Sequence, residues 1–204
     1  MSEVLFLVRH AATDWSGKRY CGRTDLPLNA AGAASAQRLA QELAASLAPG
    51  IRVVCSPLRR ARQTAEAIVA AVPGSTLAID ERWSETDFGI AEGTTYEELE
   101  RIAPDLARRL ASGAFAVDWP GGEGATALSG RVSAALHDVI ASGEPAVVVS
   151  HGGPLRIAMA IATGQDPRDV VAPEPGHAWR RPRGAESAAG PPPVIDRTGG
   201  SGTR

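Results

Sequence analysis

Four short apolar runs punctuate the sequence, at residues 4–8, 51–55, 77–79 and 146–149, and between them apolar residues recur at helical spacing. Runs of this length, bounded by charged or turn-forming residues, suit strands buried in a parallel sheet. Asn29 opens the first helical stretch, in which Ala36, Leu39, Leu43 and Leu47 share a face, and Pro49-Gly50 closes it. A second helix is expected from about Pro57, with Ala61, Thr64, Ala65, Ile68, Val69 and Val72 inward and Pro73-Gly74 at its end. Thr95 and Glu98 have the spacing of a capping box, and Pro104 suits the first turn of another helix. Val132, Ala135, Leu136, Val139 and Ile140 mark a long amphipathic helix, and a last one begins near Pro154. This alternation predicts an α/β fold with a largely parallel sheet.

The chain has 204 residues, enough for one domain. That domain is expected over 1–183, because from Gly184 the sequence becomes Ala/Gly/Pro/Ser-rich with hardly any apolar bulk, the composition of a disordered tail over 184–204. Twenty-one basic residues, all arginine except Lys18, stand against 23 acidic ones, for a net charge of −2. Five arginines and two acids lie from Arg180 onward, so residues 1–179 hold 16 bases and 21 acids, a balance of −5. Nucleic acid is therefore not an expected partner, since its binding needs a basic stripe. No apolar run approaches a membrane span. Cys21 and Cys55 make no redox or disulfide pattern, and no leader sequence is evident, so a soluble cytoplasmic protein is expected.

In parallel α/β sheets, ligands sit outside the carboxyl ends of the strands. The first run ends in Arg9-His10. The second leads to Ser56-Pro57 with Arg59 one turn on, and the fourth ends in Ser150-His151-Gly152-Gly153. One histidine in such a place is more often structural than catalytic. Two histidines and two arginines on one edge reverse that expectation. Arginine forks match phosphoryl oxygens, and imidazole can act as nucleophile or proton carrier. Without an acidic cluster this set is a poor metal site and a good anion site.

Other phosphate chemistries fail on the residues. A P-loop would need a glycine where Ala12 stands before Gly17-Lys18-Arg19. No two aspartates lie two apart, and neither cysteine is followed six residues later by arginine, Ala61 and Pro27 standing there instead. Gly122-x-Gly124-x-x-Ala127 follows Trp119-Pro120 rather than a strand, so it is no dinucleotide fingerprint. Histidine remains as the nucleophile, with the proton donor for a leaving alcohol still unassigned.

Residues 7–13, Leu-Val-Arg-His-Ala-Ala-Thr, resemble the R-H-G-x-T signature of the histidine phosphatase superfamily, the phosphoglycerate mutase-like group. Residues 21–28 resemble its substrate loop, 56–65 its second arginine motif, 85–89 with Glu92-Gly93 its acid-bearing segment, and 119–123 and 150–156 its remaining motifs. The resemblance implies a three-layer α/β/α sandwich around a mixed, mostly parallel sheet. It also implies a phosphohistidine on His10, with Arg9, Arg59 and a protonated His151 holding the phosphoryl oxygens. Glu85 would be the acid and then the base, and no metal or other cofactor is needed. Ser16, Cys21, Gly22 and Gly152 would line the phosphate and substrate site. Three departures stand out: Ala11 in place of glycine, Ser16 in place of asparagine, and Gly124 in place of serine.

Other residues read as background. Arg60 and Arg62 are expected to face solvent or ion pairs, and Glu92, Glu97, Glu98 and Glu100 to form a solvated helix face. His137 is expected at the surface and His177 in a structural role, while Trp15, Arg19 and Tyr20 would line the pocket mouth. The function implied is hydrolysis of a small phosphate ester, with α-ribazole 5'-phosphate or a range of sugar and organic phosphates as substrate. The protein would be a monomer or homodimer, and it would need no membrane. A phosphoglycerate mutase is the main rival, disfavoured by the 65 residues between Glu85 and His151, which are fewer than the family's true mutases have. A non-catalytic phosphate-binding module is the third reading.

Overall fold

The computed structural model describes residues 4–182 except residue 116. The tail expected over 184–204 lies outside the described residues. Strands β1 (Leu5–Arg9), β2 (Arg52–Cys55), β3 (Thr76–Ile79), β4 (Ala146–Ser150) and β5 (Ala178–Arg180) form one sheet in the order β3-β2-β4-β1-β5. All pairings are parallel except β1 with β5, so the sheet is mixed. Strand β5 is the element missed by sequence: three residues after Pro175-Gly176 carry no period.

Six helices complete the fold: α1 (Ala30–Ala44), α2 (Arg59–Ala71), α3 (Tyr96–Ile102), α4 (Pro104–Ala111), α5 (Ala125–Ala141) and α6 (Gly152–Thr163). Asn29 caps α1 through its side chain, which accepts from the Gly32 amide. Helix α1 ends at Ala44, ahead of the Pro49-Gly50 stop. Thr95 and Glu98 make the expected reciprocal capping box on α3. Helix α2 starts at Arg59 rather than Pro57.

Pleating sorts the strand residues into two cores. Leu5, Leu7, Val54 and Val148 pack against α5 and α6, whereas Phe6, Val8, Val53 and Val149 pack against α1 and α2. Three layers result, as the resemblance implied. A smaller core of Ala91, Leu99, Leu106, Ala107 and Val117 gathers α3 and α4 with Tyr20, Phe88 and Trp119. Among the described residues no helix is long and apolar enough to cross a membrane.

Candidate active site

Sheet register brings the strand ends together. His10 leaves β1 with its amide donating to the Ser150 carbonyl, and the Ser56 amide, just past β2, donates to Val149 of the same central strand. His10 and His151 thus face each other, ring centroids 4.9 Å apart at 57°. Ala11 shows why its methyl is accepted: among the described residues no non-glycine residue has a positive φ. Its amide donates to Thr64 Oγ1 on α2.

Hydrogen bonds fix the ring protons. His10 Nδ1 lies 2.7 Å from the Ala11 carbonyl, which can only accept, so Nδ1 carries the proton and Nε2 keeps a free lone pair. Arg60 Nε donates to His151 Nδ1 at 3.3 Å, which leaves the proton on Nε2, 2.7 Å from Ser56 Oγ. Burial first, and then the Arg60 charge, hold the His10 pKa down at about 3. The same two causes push His151 well below its ordinary value. His151, expected to be protonated, is therefore neutral in this structure, because it sits fully buried against a guanidinium.

The arginines differ from expectation. Arg59 is exposed, and its main-chain amide donates to Asp25. Arg60, expected in solvent, is 0% exposed. Its Nη1 donates to Thr24 O at 2.7 Å, and its Nη2 to Gly22 O at 2.7 Å and Cys21 O at 3.3 Å. The one-residue difference follows from the phase of α2: at about 100° per residue, Arg60 shares the inward face of Thr64 and Ile68, and Arg59 points away. Arg9 Nη1 donates to Pro173 O at 3.2 Å, while its buried Nε has no hydrogen-bond partner. Neither Arg9 nor Arg60 makes an ion pair among the described residues. Two guanidinium charges, one of them fully buried, therefore stand beside two neutral histidines without a direct salt bridge among the described residues, an arrangement that favours an anion.

Glu85 comes from the irregular segment opposite. It is buried, and its Oε1 accepts from the Thr86 amide at 2.8 Å, with the Gly153 amide also hydrogen-bonded to it. Burial raises its pKa, outweighing those hydrogen bonds and the attraction of Arg60 and Arg9. A methyl group on Gly153 would lie 2.8 Å from both Glu85 Oε1 and Thr86 Oγ1, so only glycine lets α6 approach the acid this closely.

The structure thus gathers Arg9, His10, Glu85, His151 and Gly152, the last packed beside the Arg9 guanidinium, and omits Arg59. Cys21 and Gly22 take part through their carbonyls. Cys21's thiol reaches Thr24 O at 3.9 Å, and partial burial raises its pKa. Ser16 is engaged locally, its Oγ accepting from the Thr13 amide at 2.9 Å. Glu92, expected on a solvated helix face, instead accepts the amides of Gly22, Arg23 and Thr24 at 3.0–3.3 Å. The 21–24 loop is consequently held by its amides from Glu92 and by its carbonyls from Arg60. Gly124 gives α5 no side-chain cap, and Asp118 Oδ1 accepts the first helical amide, that of Ala125, at 3.1 Å. His137 is exposed. The His177 side chain is exposed too, while its carbonyl accepts from the Arg9 amide.

Fold and site together define an α/β protein with a buried histidine–arginine cluster at its strand ends. The profile of the histidine phosphatase superfamily (branch 1) matches residues 5–178, and the chain belongs to this family. It is 35% identical over 156 residues to phosphoglycerate mutase-like protein 4 of Arabidopsis thaliana, covering 74% of this chain and 67% of that protein. Among solved structures it resembles a mycobacterial glucosyl-3-phosphoglycerate phosphatase, with TM-score 0.78 and 26% identity over 88% of this chain and 90% of the other. It also resembles a phosphoglycerate mutase from Thermus thermophilus, with TM-score 0.68 and 35% identity over 87% of this chain and 91% of the other.

Proposed function

We propose that the protein hydrolyses small phosphate monoesters through a phosphohistidine on His10, without a metal or other cofactor. The observation that carries this reading is the free Nε2 lone pair of His10 beside Arg9 and Arg60, two cations that make no salt bridge among the described residues. Nε2 attacks phosphorus, and the bond from phosphorus to the ester oxygen breaks. Glu85, whose pKa burial raises, gives its proton to that leaving oxygen. Water then attacks the phosphohistidine while the Glu85 carboxylate takes its proton, and the P–N bond breaks to release phosphate and free His10. Arg9 and Arg60 act on the charge that develops on the phosphoryl oxygens. His151 stays neutral in this arrangement, its Nδ1 accepting from Arg60 Nε and so orienting that guanidinium. Candidate substrates are α-ribazole 5'-phosphate, to which the 21–28 and 119–123 segments point, and sugar or other organic phosphates, for which the mycobacterial phosphatase is a precedent.

Phosphate release from a panel of such esters in EDTA, with acid-labile labelling of the protein, tests this. His10→Ala is expected to abolish the label and cut turnover by on the order of 10⁴-fold or more. Undiminished turnover by that variant, or none by wild type, overturns the reading. The A. thaliana and T. thermophilus relatives support a second one, a phosphoglycerate mutase. Conversion of 3-phosphoglycerate in the presence of a primer bisphosphate, faster than hydrolysis, would establish it.

A further inference from the structure

We infer that Arg131 and Glu123 are positioning residues for the proton donor, an inference that rests on the role proposed for Glu85. The segment carrying Glu85 contains only two short 3-10 turns, Glu81–Trp83 and Gly89–Ala91, so regular structure does not hold the acid in place. Arg131, on α5, supplies that hold with all five of its N–H donors. Nη1 donates to the carbonyls of Arg82 and Ser84, both at 2.6 Å, and Nη2 to the carbonyl of Glu85 itself at 3.2 Å. Nε and Nη2 also grip Glu123 in a bidentate pair at 2.7 and 2.8 Å. The pair is largely shielded from water, with side-chain exposures of 16% and 11%. Glu123 closes the frame from the other side, its amide donating to Asp87 O at 2.9 Å.

The main chain before and at Glu85 is therefore clamped to α5 through one guanidinium, and beyond it Asp87 is held by the Glu123 amide. That guanidinium is kept planar to its targets by a carboxylate that touches nothing in the pocket. Lysine cannot reproduce this, having no rigid fork. A displacement of the acid by about 1 Å is enough to slow proton transfer by about 10²-fold.

Leaving-group dependence separates positioning from general damage. An alkyl phosphate needs the proton of Glu85 as its P–O bond breaks, whereas 4-nitrophenolate leaves without it. The parameter to compare is kcat/KM, which reports steps only up to phosphorylation of His10. Wild type, Glu85→Gln, Arg131→Lys and Glu123→Gln are assayed on 4-nitrophenyl phosphate and on the fastest alkyl ester of the panel, with Tm measured for each. Glu85→Gln is expected to lower the alkyl value by about 10²-fold or more and the aryl value far less. Arg131→Lys should follow the same pattern at about tenfold, and Glu123→Gln, which keeps every carbonyl bond of Arg131, at a few-fold. Equal losses on both esters in the Glu123 and Arg131 variants, with Glu85→Gln still selective, overturn the positioning role alone. Absence of leaving-group selectivity in Glu85→Gln overturns the role of Glu85 and this inference with it.

Discussion

At the carboxyl ends of β1, β2 and β4, His10, Ser56 and His151 are set by hydrogen-bonded sheet register, whereas Glu85 arrives on an irregular segment fixed by side-chain clamps from α5. The first wall holds cations and neutral imidazoles, and the second a carboxyl whose pKa burial raises. Under the proposed mechanism, charge neutralisation falls to the wall held by sheet register and proton transfer to the wall whose geometry depends on a few side-chain bonds. Arg60 joins the two walls, since it donates to His151 on one side and to the 21–24 loop on the other. Gly22 in that loop then packs against the Thr86 carbonyl and Glu92, leaving no room for a side chain.

Removing that link should have the largest effect. Arg60→Met deletes a buried cation aimed at the phosphoryl site, so kcat/KM should fall by about 10³-fold. Vanadate or phosphate should protect the variant from heat far less than it protects wild type. Arg60→Lys should recover little, because an ammonium cannot make the same forked contacts to His151 and three carbonyls. An Arg60→Met protein with near-normal turnover would show that Arg9 alone neutralises the anion. The strand-end wall would then be independent of the loop.

Legibility in the sequence follows the same division. The strands and the two inner helix faces are visible because burial imposes a period on them: Leu5 and Leu7 against Phe6 and Val8 need no more than alternation. His10 and His151 are visible because they follow buried runs directly. Arg60 is not, although its signal exists, since Arg60 lies one turn before Thr64 on the inward stripe that also contains Ala61, Ala65 and Ile68. Taking Arg59 as the strand-end arginine overlooks that stripe, whose phase is set by the spacing of its residues and not by where the helix starts. Glu92 and Arg131 are out of reach for another reason. Their partners are main-chain groups on segments without periodicity, and a backbone carbonyl has no identity in a sequence. Family resemblance supplies Glu85 for the same reason that local pattern cannot.

The two walls should also separate by pH. His10 is neutral in the fold down to about 3, against an ordinary value of 6.5, and burial is the main cause. Between those values the unfolded chain takes up a proton that the folded chain refuses. This contribution to stability is therefore full above pH 6.5 and is lost as pH falls towards 3. For His10 the loss amounts to ~2 kcal/mol by about pH 5, and His151 shifts in the same direction. Glu85 has the opposite sign. Its raised pKa means that the folded chain keeps a proton the unfolded chain releases, so its contribution is present below its ordinary value and is lost as pH rises through the raised one. Urea midpoints across pH should show His10→Asn with a shallower acid slope than wild type, and Glu85→Gln with a gain at neutral and higher pH. Parallel curves for all three proteins would mean that the buried charges are compensated elsewhere.

The smallest effect expected is at the neighbour of the largest. Arg59 carries the same charge as Arg60 one residue earlier, yet it lies on the solvent side of α2, and its main-chain amide, not its side chain, donates to Asp25 at 2.6 Å. Arg59→Ala keeps that amide bond and removes only an exposed cation near the pocket mouth. An exposed charge acts across water and salt, so its loss should change kcat/KM by no more than about threefold, mostly at low ionic strength. The comparison with Arg60→Met is internal, since both variants delete one arginine from the same helix turn and differ only in the direction of the side chain. A large, salt-independent loss in Arg59→Ala would mean that α2 turns on binding substrate and brings Arg59 inward. The strand-end wall would then be the mobile one.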